Sequence, residues 1–224
     1  MRPWDGRLLV VAVCCATVGT AFALVIRSVD LTWSALGSSF ALWALLVGAV
    51  IYGLSLSRPA GLLSFRGLDL LWGVATALAL RFLHGLISEA NLHPFPSAPL
   101  AEGAVTQGWW SSVVFPAVVV APLVEELFFR GVILVTIYQI FRRGIGSVSA
   151  AVTAVLSSGG MFVMLHAAFD PLGWAEGMQL LAVGLMCSAL VLATGRVWSA
   201  VIAHFFFNAS YVGLALLGYL LSSG

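Results

Sequence analysis

Three apolar stretches of this sequence contain polar residues of the kinds that activate water. The first, at 125–130, reads EELFFR; the second contains Phe162 and His166, and the third contains His204 and Asn208. Ionisable groups inside membrane segments are rare and usually functional. A carboxylate and a nearby imidazole can share the proton of an attacking water. A second imidazole and an amide NH2 can donate hydrogen bonds to the oxyanion that forms. These residue types therefore fit water activation.

The same residue types are also compatible with a metal site. Two histidines and one glutamate form a known catalytic zinc set. If a divalent metal such as zinc is bound, its ligands would be Glu125, His166 and His204. The sequence has no HExxH motif, which argues against the zinc proteases that use that motif but leaves metal use open. No other cofactor is predicted.

The spacing of the charged residues distinguishes the two adjacent glutamates. Glu126 and Arg130 are i,i+4 neighbours, so on a helix they share a face, with the glutamate in the favourable N-terminal position. Glu125 lies about 100° away around the same helix. We therefore expect Arg130 to neutralise Glu126 while Glu125 points elsewhere.

The composition indicates that membrane helices carry these residues. The chain is 61% hydrophobic and 8% charged, whereas a soluble domain is about 45–50% apolar and about 25% charged. Apolar runs that can cross a bilayer core of about 30 Å lie roughly at 8–26, 36–56, 68–88, 109–141, 148–169, 175–194 and 198–221. The sequence therefore predicts an all-α, polytopic transmembrane helical bundle of about seven spans in a lipid bilayer.

Charge orients the predicted bundle. If the N-terminus is inside, Arg27 is the one arginine at the outer ends, and the arginines at the inner ends are Arg2, Arg7, Arg58, Arg66, Arg142, Arg143 and Arg196. Because cytoplasmic loops carry an excess of positive residues, we predict a multi-pass protein with a cytoplasmic N-terminus. The absence of lysine suggests GC-rich coding and favours a bacterial cell membrane. The net charge of +1 gives no field that would recruit nucleic acid.

The motifs Glu-Glu-x-x-x-Arg, Phe-x-x-x-His and His-x-x-x-Asn stand in this order on separate predicted helices. They resemble the motifs of the CPBP family, which contains CAAX prenyl endoproteases and bacteriocin-processing or immunity proteases. That family is similar in fold to the core of the Ras-converting CAAX endoprotease. The resemblance covers residues 110–212. We accordingly predict N-terminal transmembrane helices without a recognised motif at 1–108, and a CPBP-like catalytic transmembrane core at 109–224.

The resemblance implies an intramembrane endopeptidase that hydrolyses peptide bonds of membrane-associated peptides or proteins. It makes Glu125 the general base, with His166 assisting it on the water. His204 and Asn208 would form the oxyanion hole.

The resemblance gives Glu126 and Arg130 a supporting role at the site. Considered without it, the buried carboxylates also fit a proton- or ion-coupled membrane transporter, although the chain lacks the repeated halves and paired broken helices usual in transporters. A non-catalytic membrane partner or immunity protein is the third alternative.

Cysteine labelling or reporter fusions test the predicted orientation. Because arginines are concentrated in the predicted inner loops, segments 57–67 and 142–147 should report from the cytoplasmic side and segment 89–108 from the outside. Labelling of residue 100 from the cytoplasmic side alone would contradict the prediction.

Overall fold

The computed structural model describes residues 4–29, 33–92, 95 and 108–222, and these residues fold into seven helices joined by short turns and loops. The helices are α1 (Gly6–Arg27), α2 (Ser34–Leu56), α3 (Gly67–Ile87), α4 (110–145), α5 (Ser147–Ala167), α6 (Trp174–Thr194) and α7 (Trp198–Ser222). A helix satisfies its own backbone hydrogen bonds, as a span in lipid must. The predicted all-α class is confirmed. Most of the predicted outer loop, 89–108, lies outside the described residues.

Six of the seven helices are long and apolar enough to cross a membrane: α1, α2, α3, α5, α6 and α7. Their ends lie within two residues of the predicted spans. The remaining helix, α4, is built from shorter segments and is not among the six. The protein is therefore a multi-pass membrane protein, as predicted.

Helix α4 alternates between α- and π-helical turns. Its π segments are Trp110–Val114, Pro116–Val120 and Leu127–Leu134, and its α segments are Ala121–Glu126 and Val135–Ile145. In the second π segment the Ala121 N–H donates to the carbonyl of Pro116, five residues back. The next donor in this pattern would be the N–H of residue 122, but this residue is proline and has none. In this five-residue pattern the carbonyl of Ala117 therefore has no backbone donor.

Helices α3 and α7 pack closely along their length. A Cβ added at Gly73 would lie only 2.5 Å from Ile202, so the contact requires glycine. Further along, Arg81 of α3 donates from Nε to the Ser210 hydroxyl at 2.9 Å, and its guanidinium lies 4.2 Å from the Phe207 ring centroid. The pair is thus held by close backbone approach and by a structural arginine.

Helices α5 and α6 cross at a second pair of glycines. A Cβ at Gly184 would lie 2.9 Å from the Cα of Gly159. Small residues allow this kind of close approach between membrane helices. The crossing brings the backbone of α6 close to the polar residues of α4.

A buried ion pair fixes the end of the bundle where α3 and α7 begin. Arg196 donates from Nε to both carboxylate oxygens of Asp69, at 2.8 and 2.9 Å, and Asp69 also accepts from the N–H of Arg66 at 2.7 Å. The Val197 N–H donates to the carbonyl of Leu62 at 2.9 Å. These bonds connect the α2–α3 loop with the α6–α7 turn.

The Asp69–Arg196 pair should be a principal source of stability. Asp69 is fully buried, so Asp69→Ala leaves the mostly buried Arg196 charge unpaired, at a cost of about 3–5 kcal/mol. Melting of the purified protein in detergent measures this loss. The matched control is Asp170→Ala, which removes the 65% exposed partner of Arg27 and should cost at most about 1 kcal/mol. Equal melting temperatures for the two variants would contradict this account.

Candidate active site

The carboxylate of Glu126 holds a buried triad together. Its Oε1 accepts a hydrogen bond from Nδ1 of His204 at 2.9 Å and lies 3.1 Å from Nη1 of Arg130. The side chains of Glu126 and Arg130 are completely buried. Arg130 also donates from Nη2 to the carbonyl of Gly184 at 3.4 Å. The predicted pairing of Glu126 with Arg130 is confirmed, and it joins α4 to α6 and α7.

The ring of Phe162 brings the three motifs together. It is fully buried, and its centroid lies 4.5 Å from the guanidinium carbon of Arg130 and 4.5 Å from the ring centroid of His166. The rings of His204 and Phe129 approach it edge-on, with centroids at 5.7 and 5.4 Å. One aromatic side chain therefore contacts residues from α4, α5 and α7.

Glu125 lies apart from the triad and lines a different space. It and His166 belong to the wall of a cavity of about 380 Å³. Glu125 is 7% exposed, and its Oε2 has no hydrogen-bond partner among the described residues. The two adjacent glutamates thus diverge, as their spacing predicted.

The tautomer of His166 is defined by its backbone contact. Nδ1 lies 2.9 Å from the carbonyl oxygen of Phe162. A carbonyl can only accept, so Nδ1 carries the proton in this bond. The neutral ring then presents a lone pair at Nε2, the nitrogen that can accept a proton or orient a water.

The opposite wall of the cavity comes from α1 and α2. Its residues include Arg27, Ser38, Ser39, Leu42 and Trp43. Sequence reasoning missed this wall because these helices contain no recognised motif. The adjacent serines in an otherwise apolar stretch were the one local signal of a polar surface.

Asn208 contacts α4 and does not line the cavity. Its Nδ2 donates to the carbonyl of Ala117 at 2.9 Å, the acceptor that Pro122 leaves without a helical donor. His204 is likewise absent from the cavity wall that the structure describes. The candidate residues therefore form three groups: the Glu125–His166 pair, the Glu126–Arg130–His204 triad, and Asn208 on the α4 backbone.

The three proposed metal ligands do not form one donor set. His204 is bonded through Nδ1 to Glu126 and lies outside the cavity that Glu125 and His166 line. Within the described part of the chain, no three His, Cys, Asp or Glu side chains lie close enough together to hold a metal ion. Glu125, His166 and His204 do not fit a shared ion in this arrangement.

The motifs and their convergence agree with a family match. Residues 107–210 match the family described as Type II CAAX prenyl endopeptidase Rce1-like. This segment is an Rce1-like family domain. No curated protein and no solved structure gives a significant match to the chain. The Rce1-like family is a protease family, and all three motifs lie inside the matched segment.

The Rce1-like domain supplies Glu125 and His166, but it does not supply the whole cavity. Helices α1 and α2 precede residue 107 and form the facing wall. The domain also contains both members of the buried Glu126–Arg130 pair. The family match therefore accounts for the polar motifs, and the packing of the N-terminal helices accounts for the shape around them.

A double-mutant cycle should separate the two glutamates. Arg130→Met leaves the buried Glu126 charge with His204 alone and should cost about 3–5 kcal/mol. Adding Glu126→Gln should recover part of this loss because the unpaired charge is removed. Adding Glu125→Gln should recover less, since Glu125 faces the cavity. Melting temperatures in detergent give both coupling energies. Stronger coupling of Arg130 to Glu125 than to Glu126 would reverse the assignment and favour Glu126 as the base.

Proposed function

We propose that this protein is an intramembrane endopeptidase that hydrolyses peptide bonds of membrane-associated peptides or proteins. The observation that supports this most strongly is the shared cavity of Glu125 and His166. It combines a carboxylate oxygen without a protein partner and an imidazole whose Nδ1 is held by the Phe162 carbonyl. Membership of residues 107–210 in a protease family points to the same chemistry.

The reaction uses these two groups on one water molecule. Glu125 removes one proton from the water. Nε2 of His166 accepts a hydrogen bond from the other O–H of the water and so orients the molecule. The water oxygen then attacks the peptide carbonyl and forms a tetrahedral intermediate. The protonated Glu125 next gives its proton to the leaving nitrogen, so that the peptide bond breaks and the carboxylate is restored. General acid–base help of this kind contributes about 10²–10⁴-fold to a rate.

Stabilisation of the oxyanion is assigned to His204 and Asn208. The Nδ1 proton of His204 is bonded to Glu126, so Nε2 is the ring nitrogen left to face the oxyanion, and donation from it requires a proton on Nε2 as well. Asn208 gives one amide hydrogen to Ala117 and retains the other for the oxyanion. Substrate binding would have to bring the reacting carbonyl within reach of both groups.

Glu126 and Arg130 act in this proposal as positioning residues. Glu126 orients the His204 ring through a 2.9 Å hydrogen bond. Arg130 compensates the carboxylate charge, and the side chains of Glu126 and Arg130 are both completely buried. A charged carboxylate would otherwise be strongly disfavoured in a low-dielectric interior. The pair therefore serves the geometry of the site and makes no contact with the reacting atoms.

The proposal includes a division of the chain. Residues 109–224 form the catalytic transmembrane core, and residues 1–108 add helices whose side chains face Glu125 and His166 across the cavity. The arginine distribution supports a cytoplasmic N-terminus in a bacterial cell membrane. Partners are then a peptide or membrane-protein substrate and the lipid bilayer, without nucleic acid.

Substitution of either cavity group should abolish most activity without unfolding the protein. We expect Glu125→Gln and His166→Ala to lower the cleavage rate by at least about 10²-fold, since each removes a group that acts on the water. Substrates are identified by comparing the proteomes of membranes that contain the wild-type protein with those of membranes that contain Glu125→Gln. Rates are then measured with purified proteins on a substrate found in this way.

The matched control is Glu176→Gln, which changes an exposed carboxylate at the first turn of α6. Its rate should stay near that of the wild type. Detergent elution and melting temperature should show that the two inactive variants remain folded. A wild-type rate in either purified cavity variant would refute the assignment.

A further inference from the structure

The two ends of the bundle carry opposite charge. One end, which we call the arginine-rich end, contains the α1 start, the α2–α3 loop and the two turns that follow α4 and α6. Contacts join three of these four parts: Trp4, before α1, donates to the Ser57 carbonyl at 3.2 Å, and Val197, in the turn after α6, donates to the Leu62 carbonyl at 2.9 Å. The described arginines of this end are Arg7, Arg58, Arg66, Arg142, Arg143 and Arg196. Its described acidic residues are Asp5 and Asp69.

The opposite end has the reverse composition. Arg27 is the arginine that the structure describes there, and it pairs with Asp170 at 2.8 Å. Glu89 follows α3 at this end, and Glu176 lies in the first turn of α6. Since positive residues favour the cytoplasmic side, this opposite end faces away from the cytoplasm.

The catalytic cavity is reached from the opposite end. Its exposed wall residues, Arg27, Ala35 and Asp170, all lie at the ends of helices or in the turn after α5. Its buried wall residues, among them Trp43 and Glu125, lie deeper. From Ala35 to Trp43 the wall descends α2 by about 12 Å at 1.5 Å per residue. The wall residues are therefore exposed at the opposite end of the bundle and buried beside Glu125, so the cavity opens at the opposite end.

The wall suits an extended peptide better than a lipid chain. Backbone N–H and C=O groups of an extended segment require polar partners, because lipid provides none. The hydroxyls of Ser38 and Ser39 donate to the Ala35 carbonyl, and their oxygens can accept from peptide N–H groups. They lie below a charged rim formed by Arg27 and Asp170. A volume of about 380 Å³ lies at the lower end of the usual range of about 300–1,000 Å³ for binding pockets. It therefore has room for a few residues around one scissile bond.

We propose that the Glu125–His166 cavity opens on the extracytoplasmic face and accepts extended segments of membrane or exported proteins that are presented from that side. The substrate class rests on the proposed peptidase function, whereas the side of the opening rests on charge and geometry alone. The substrate then reaches Glu125 from water, between α2 and the turn after α5. Cytoplasmic segments face the arginine-rich end and have no access to the two catalytic groups.

Cysteine accessibility tests the side of the opening directly. Ser39→Cys reports on the cavity, Ser64→Cys reports on the arginine-rich end, and Ala44→Cys reports on an exposed lipid-facing position further along α2. The background carries Cys14→Ala and Cys15→Ala, while Cys187 stays because it is fully buried. The probe is a charged, membrane-impermeant maleimide added to intact cells and, in parallel, to opened membranes.

The proposal predicts that Ser39→Cys reacts in intact cells at least about tenfold faster than Ala44→Cys, because thiolates form poorly in apolar surroundings. Ser64→Cys should react only after the membranes are opened. If Ser39→Cys reacts only in opened membranes, the cavity faces the cytoplasm and the proposal is wrong. If Ser39→Cys reacts in neither preparation, water does not reach the cavity, which also overturns it.

New protein termini test the substrate class. Membranes and culture medium are compared between cells with the wild-type protein and cells with Glu125→Gln. Cuts that depend on Glu125 should map to extracytoplasmic segments, and cuts confined to cytoplasmic segments would overturn the proposal. If no cut depends on Glu125, the peptidase function and the substrate class both fail. Labelling of Ser39→Cys from outside would still support the side of the opening in that case.

Discussion

A single carboxylate inside the membrane constrains much of this structure. Glu126 has no exposed surface, and its Oε1 is shared between Arg130 on the same helix and His204 on α7. Burial of an ion is tolerated only when close partners compensate its charge. Compensation here requires α7 to approach α4 at the level of His204, and the guanidinium also reaches Gly184 on α6. The glycine crossing of α5 and α6 and the Asp69–Arg196 pair at the start of α3 both help to keep the helices in that register.

The divergence of Glu125 from Glu126 gives one helix two electrostatic environments. Neighbouring carboxylates on a helix point about 100° apart, and α4 uses this angle to place one in a compensated triad and the other on a cavity wall. The ring of Phe162 connects the triad with the cavity, because it contacts both Arg130 of the triad and His166 of the cavity wall. The aromatic ring allows the charged triad and the cavity imidazole to lie near each other without a hydrogen bond between them.

Local sequence signals predicted most of the helices, but only part of the candidate site. Hydropathy located six spans to within two residues, because the length of an apolar run reflects bilayer thickness directly. The i,i+4 spacing predicted the Glu126–Arg130 pair because residues four apart on a helix are neighbours whatever the rest of the fold does. The Arg196–Asp69 pair joins residues 127 positions apart, and the cavity wall from α2 depends on how α1 and α2 pack against α4 and α5. Neither feature leaves a periodic trace in the sequence. Pro122 was a visible helix breaker, but nothing local indicated that a side chain on α7 would replace the lost donor.

The contact between Asn208 and Ala117 makes two distant positions interdependent. Proline at 122 removes a backbone donor from α4, and the amide of Asn208 restores a partner to the carbonyl that was left. Substitutions at these two positions should therefore show epistasis. A residue with an N–H at 122 could donate to the Ala117 carbonyl in place of Asn208. An apolar residue at 208 would leave that carbonyl satisfied only in a chain that had already lost the proline. As far as the backbone of α4 is concerned, the order in which such changes accumulate is then restricted, because only one of the two single-step intermediates keeps the Ala117 carbonyl satisfied.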